Sequence, residues 1–591
     1  MYRPTSPQLS FFEPTFIMPN ILPKDDWSFI FRDKVWPLID EQKFKHLYKD
    51  KIGAPNISVK LKVSLLIFMA LEQLTWRQVE FLFMRRLDWI NATFTELGQA
   101  FVDHTTLFKF YRQLENDDAA YQLFADLTEN FIQECNVSTK KQRVDSFFML
   151  GWLAILSRYG LFKETIRVFL QALRKHKPGL YEKIQPELSL DYLKDEFDLT
   201  EKDKKKTRGR IKEMARDLYL IKSSFENHHQ IKYYQTFTTL VKVFEQQCIV
   251  KTAEELSASN NDLSSEKEIV AVASKTNASE SEDEKIISKS DADSNSEEES
   301  KPPIIGPEVN IREKPEGDKI ISSPHNTDAE YTRKRDQKVV GHKGFVTETC
   351  DPANDVQFIT DINLERARHA DATEISEIEK RLCNNNWKPE TFYSDAGFIN
   401  GESILAAQNK GIDLAGPSSG RSQSFEEFTD KDRPLDIADF EVEIHSDTGE
   451  LTVLSCPSGH EPNDQPRSEK TGKLLVHFNS DTCRSCSLNE RCPVKIGARI
   501  ATLNVDEPQY AGAARHNKYM SDPEYRKECG IRAGAESLMN EIANGHDGRQ
   551  SRHRTEKGSR LQLLFAGISC NVKRFVSYRQ RCDQNMANAV V

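Results

Sequence analysis

Arg143-Val144-Asp145-Ser146-Phe147-Phe148 is the stretch on which the reading of the chain turns. Its β-branched and aromatic residues favour a strand, and Asp145 is a lone carboxylate inside it. An uncompensated charge in an apolar strand is costly, so this aspartate calls for a partner or a task. Upstream, after an extended Pro-rich tail over 1–25, the pattern is helical from Trp27 to Glu134. Leu61, Val63, Leu65, Leu66, Phe68, Met69 and Leu71 make one helix apolar almost all round, which must be buried. Thr75, with Gln78 three residues on, opens a second helix through a capping box, and Asp103 caps a third that carries Lys109 and Arg112. Short capped helices of this kind suit a helix-turn-helix-like DNA-binding module over 26–135, although a plain bundle has the same pattern.

Residues 136–250 are read as the first part of the core, the Asp145 strand followed by a helical insertion. Residues 251–302 then hold fourteen Asp/Glu against six Lys, with almost no aromatics. Such a composition buries too little apolar surface to offset its ordering entropy, so 251–330 is expected to be a disordered acidic linker. Beyond it, Val339–Thr349 and Gln357–Ile362 read as neighbouring strands, and Ala372–Leu382 as a helix. Thr391-Phe392-Tyr393-Ser394 reads as a short strand ending at Asp395-Ala396-Gly397-Phe398. The core is placed at 331–410, a β-rich Cys-containing insertion at 411–520, and a helical basic segment at 521–591. The fold class is α+β and multidomain.

The third acid of interest is Glu536, in Ile531-Arg532-Ala533-Gly534-Ala535-Glu536. It is preferred to Glu528 and Glu541 because Arg532 lies one helical turn before it, able to orient it or hold a phosphate. A surface i,i+4 ion pair is the plainer account. Hard oxygen donors from two strands and a helix can bind a pair of Mg²⁺ or Mn²⁺ ions, which suits in-line phosphoryl displacement. A strand-end aspartate is more often a turn former, so no single acid decides the matter.

Charge points the same way. The net −10 looks hostile to nucleic acid, but residues 511–581 carry fourteen Lys/Arg against seven Asp/Glu. Arg532, Arg549, Arg552, Arg554, Lys573 and Arg574 are the candidate DNA contacts. Eleven scattered cysteines do not form a secreted disulfide framework, and the longest apolar run, Phe147–Leu156, is short of the ~20 residues that span a bilayer. A cytoplasmic setting without membrane contact is expected. Cys456, Cys483-x-x-Cys486 and Cys492 have spacing compatible with structural zinc, against which stands the reading of unligated thiols in a reducing cell.

The chain resembles a DDE-type transposase of a bacterial insertion sequence. The resemblance rests on Arg532-x-x-x-Glu536, on Gly548-Arg549-x-x-Arg552-x-Arg554 and on Asn571-Val572-Lys573-Arg574. It is extended by Ser394–Phe398, by Ser323–Ala329 leading into Val340–Lys343, and by the helical stretch Ser58–Glu115. It implies a split ribonuclease-H-like catalytic domain with the triad Asp145, Asp395 and Glu536 on divalent metal. It also implies cleavage and strand transfer at terminal inverted repeats and target DNA, by a dimer or larger assembly. Cys529 and Ala543 stand where related enzymes often have tyrosine and lysine, and Ser146 is followed by two phenylalanines where small residues are usual. The rival functions are a catalytically inactive DNA-binding descendant and a zinc-ribbon interaction protein.

Overall fold

The computed structural model describes residues 2, 4, 12, 14–17, 19–48, 56–151, 157–194, 204–251, 308–317, 319–334, 337–422, 424–445 and 449–590. They divide into two compact units, one of residues 1–154 with 328–591, the other of residues 155–327.

In the first unit the amino-terminal part is helical, as expected. Helix α1 (Val59–Leu71) is buried along almost its whole length, α2 (Trp76–Phe83) starts on the Thr75/Gln78 capping box, and α3 (His104–Leu114) starts on Asp103. Helix α4 (Ala119–Glu134) leads into β1 (Lys141–Leu150). Strands β2 (Cys248–Lys251) and β3 (Glu308–Ile311) belong to the other unit, and β4 (Glu330–Lys334), β5 (Gln337–Thr349) and β6 (Ile359–Arg366) follow in this one. After helix α8 (Asp371–Asn384), with α5 to α7 in the other unit, come β7 (Thr391–Tyr393) and β8 (Asp413–Ala415). Strand β5 pairs antiparallel with β1, β4 and β6, whereas β1, β7 and β8 run parallel to one another in that order. The result is a mixed sheet.

Two small sheets lie between residues 441 and 505. Strands β9 (Glu441–Ile444) and β10 (Leu451–Ser455) form one; β11 (Leu474–Asn479), β12 (Lys495–Ile496) and β13 (Ile500–Val505) form the other. They enclose a separate core around Val453, Val476 and Val505. Helix returns, but in pieces: α10 (Glu507–Ser521), α11 (Pro523–Cys529) and α12 (Gly534–Asn540) precede the long α13 (Glu556–Val590), with α9 at Gly401–Gln408.

One hydrophobic core joins the amino-terminal helices, the mixed sheet and α13. Phe131 of α4 stacks on Phe575 of α13 with ring centroids 4.3 Å apart, and Ser569 Oγ donates to Ile67 O of α1. The Asn571 amide accepts from Ile359 N and donates to Ile359 O and Thr128 Oγ1, so it staples α13 to an end of β6 and to α4. Those bonds explain a buried asparagine.

The second unit is helical, with α5 (Arg158–His176), α6 (Lys204–Phe225) and α7 (Gln235–Gln247) around Phe162, Phe169, Leu218 and Leu240. Of the linker expected over 251–330, residues 252–307 lie outside the described residues. The rest departs from that expectation: β3 (Glu308–Ile311) pairs antiparallel with β2 (Cys248–Lys251), and Val309 and Ile321 are buried. Composition cannot reveal such a partner strand. Among the described residues no helix is long and apolar enough to cross a membrane.

Candidate active site

The parallel pairing of β1 with β7 matches Arg143 to Tyr393. Two residues further along each chain stand Asp145, in the middle of β1, and Asp395, just past the end of β7, so the register brings both carboxylates to the same level of the sheet. Both are half-buried. Asp145 Oδ1 accepts from Ser146 N, and Asp395 Oδ1 accepts from Gly397 N, which turns the chain out of the sheet.

Helix α12 packs on β1. The fit is close at Gly534, where a Cβ would stand 2.0 Å from Arg143 Nη1. That guanidinium cannot yield, because it donates to Ile531 O and, through Nε and Nη2, to Glu348 Oε1. Gly534 therefore sets the depth at which α12, and Glu536 on it, lies against the strand of Asp145. Ala535, Leu538 and Met539 are the buried positions of α12, and Glu536 is exposed.

The three acids of this stretch have different surroundings. Glu528 accepts from Tyr393 Oη at 2.7 Å and pairs with Lys141 at 3.2 Å. Glu541 is enclosed by Arg574 and Lys573, with His546 3.8 Å away; burial alone would raise its pKa, but these neighbours hold it well below the usual carboxylate range. Glu536 has no ion pair among the described residues, and Arg532 does not bridge to it. Arg532 instead lines a cleft of about 550 Å³ with Asp395, Ala396, Pro417, Phe425, Tyr519, Met520 and Arg526.

Sequence reasoning missed Asp371 and Arg526. A Cβ at residue 397 would meet Asp371 Oδ2 at 3.0 Å and Asp395 Oδ1 at 3.1 Å, so two carboxylates converge on Gly397, and Lys343 Nζ lies 2.6 Å from Asp371. At the start of α8, Asp371 is indistinguishable in sequence from an acid that favours a helix N-terminus. Among the described residues, trios of metal-ligating atoms within 4.8 Å of one another occur elsewhere, at Glu541/His546/Cys570 and Glu80/Asp103/His104. Asp145, Asp395 and Glu536 are not such a trio.

The basic candidates separate into two groups. Arg574 is turned inward: it donates to Glu348 Oε2 at 2.7 Å, to Glu541 Oε2 at 2.8 Å and to Gln357 O, as a buried cation must. Arg552 donates to the carbonyls of Gln73 and Leu74 just past the end of α1 and pairs with Asp547 at 2.7 Å. Both of these expected DNA contacts are thus engaged within the fold. Arg549 and Arg554 are exposed, and Lys573 is half-exposed 3.3 Å from Glu541. The four cysteines Cys456, Cys483, Cys486 and Cys492 line a second cavity of about 390 Å³, beside the small sheets.

Residues 455–576 match the family model described as a transposase DDE domain, and residues 19–113 match the transposase domain DUF772. The first match runs from the cysteine cavity through Glu536 into α13, and the second covers the amino-terminal helices. Comparison with curated proteins and with solved structures gives no match.

Proposed function

We propose, for a chain that belongs to the DDE-type transposases of insertion elements, that it cuts DNA at the ends of its own element and joins the freed 3′-hydroxyls to a target. In this reading the mixed sheet is a ribonuclease-H-like core, and Asp145, Asp395 and Glu536 are its metal-binding carboxylates. The observation that carries it is the register of β1 on β7, which leads to Asp145 and Asp395 side by side, with the Glu536 helix seated on β1 through Gly534.

The donor chemistry fits hard divalent cations, since the set is all oxygen and Glu536 has no competing cation among the described residues. Two such ions, Mg²⁺ or Mn²⁺, ~4 Å apart would stabilise both the attacking and the leaving oxygen of a phosphoryl displacement. Arg532 and Arg526 beside Asp395 would position the scissile phosphate, and Arg549, Arg554 and Lys573 would hold flanking backbone. Cutting two ends in concert requires a dimer or larger assembly on DNA.

The test is a plasmid carrying the coding sequence with its native flanks, incubated with the purified chain and Mg²⁺. Breaks at the element boundaries are expected, and Asp395→Asn should slow them by about 10³-fold or more while retaining DNA binding in a mobility shift. A variant that cuts as well as the parent would remove the reading.

A further inference from the structure

The cysteine cavity belongs to neither the sheet carboxylates nor the DNA-facing cations. Cys456 follows β10, Cys483 lies in the short helix Ser480–Ser485, Cys486 caps that helix, and Cys492 ends the turn Asn489–Arg491. The cavity is thus walled by three separate turns of a small β region whose own core holds a dozen buried side chains. We propose that Cys456, Cys483, Cys486 and Cys492 bind one Zn²⁺ ion as a tetrathiolate that staples this region together.

Several observations converge on that assignment. The four are half-exposed, none is in a disulfide and all line one cavity, whereas Cys135, Cys248, Cys350, Cys529 and Cys570 are buried and the half-exposed Cys383 and Cys582 lie outside the cavity. A cysteine that only filled space would sit with the buried group. The backbone is arranged around the sulfurs: His460 N donates to Cys456 Sγ and Leu488 N to Cys486 Sγ, each at 3.4 Å, and Val494 N turns to Cys492. Such N–H donors do little for a neutral thiol, but they stabilise a sulfur that carries thiolate charge on a metal. The Cys456–His460 turn is closed by Gly459 N donating to Cys456 O at 2.7 Å and Cys456 N to His460 O at 2.9 Å. Gly459 has φ +80°, a conformation glycine adopts without cost.

The first two turns already touch, with Ser458 Oγ 3.1 Å from Cys486 Sγ. No three of the four sulfurs lie within 4.8 Å of one another, so ligation has to draw them inward. Four S–H protons leave to solvent as four Zn–S bonds form, and no redox partner is needed. Zinc suits the site because soft thiolates in a closed tetrahedral set are its structural ligands. A small β region with so limited a core is also where such a staple contributes most.

The experiment is metal analysis of the full chain purified from zinc-replete cells. About one zinc per chain is expected, falling below about 0.1 in Cys483→Ser/Cys486→Ser and unchanged in Asp395→Ala and Cys570→Ser. Because the cysteine variant could misfold, the parent chain grown on cobalt supplies a second readout. A sulfur-to-cobalt charge-transfer band with tetrahedral d–d absorption is expected. Less than about 0.1 zinc per chain in the parent, cobalt bound without the sulfur band, or zinc lost with Asp395 or Cys570 instead of the cysteine pair would each overturn the proposal. None of these outcomes depends on whether the chain cuts DNA.

Discussion

Glu528, Glu536 and Glu541 share one stretch of sequence and similar local propensity, and only their neighbours separate them. Glu541 belongs with Arg574, Glu348 and Arg143 in a chain of ion pairs running from α13 to β1. Glu348 is at its centre with a side chain 2 % exposed, so Glu348→Ala leaves Arg143 without a carboxylate and Arg574 with Glu541 alone. A loss of about 3–5 kcal/mol in chemical denaturation is expected; a loss under about 1 kcal/mol would show that the network is not structural. His553 gives a second residue-level prediction. It is buried, stacked on Tyr111 with centroids 4.6 Å apart, and held down to about 4 by burial and then by Arg112 and Arg552. An unfolded histidine binds its proton near pH 6.5, so the stability linked to His553 is full above that pH and is lost as pH falls toward about 4. The span is worth up to about 3 kcal/mol. Between pH 7 and 4, His553→Gln should therefore lose less stability than the parent; identical curves would contradict the assignment.

At the scale of elements, the strand carrying Asp145, the β5–β6 pair, helix α8 and the capped amino-terminal helices could be read from periodicity and capping alone. The breaks in the carboxyl-terminal helix could not. Residues 522–578 have a nearly continuous helical pattern, but the chain leaves helix at His546–Thr555, where Asp547 takes φ +65° and Leu150, at the end of β1, donates to Arg549 O and accepts from Ser551 N. Those partners are remote in sequence. The Asn571–Arg574 motif was legible as special but not in its role. Asn571 staples α13 to the sheet and Arg574 completes the ion-pair chain, which only the assembled fold reveals. The seat of α12 is testable directly. Gly534→Ala should push the helix off Arg143, costing about 1–3 kcal/mol, and misplace Glu536 enough to slow cleavage by about 10²-fold. Unchanged rates would mean that the depth of α12 does not position the acid.

For the whole molecule, the helices of the domain expected at 26–135 share one core with the sheet. Nothing in the local pattern of α1 or α4 says that Leu564, Phe565 and Phe575, over four hundred residues away, complete their packing. A fragment ending at residue 139 is therefore expected to lack a cooperative urea transition, and a sharp one would contradict the shared core. The site is likewise a product of long-range pairing: the register of β1 on β7 brings Asp145 and Asp395 level, and Asp371, unremarkable in sequence, meets Asp395 at Gly397. The central claim is that three carboxylates from β1, the end of β7 and α12 serve as ligands of the catalytic cations. It is tested most directly by changing Asp145, Asp395 and Glu536 singly to cysteine and measuring cleavage in Mg²⁺ and in Mn²⁺. A thiolate ligates Mg²⁺ poorly and Mn²⁺ better, so each variant should be inactive in Mg²⁺ and partly restored in Mn²⁺. A variant that retains full activity in Mg²⁺ would remove that residue from the metal site and contradict the account.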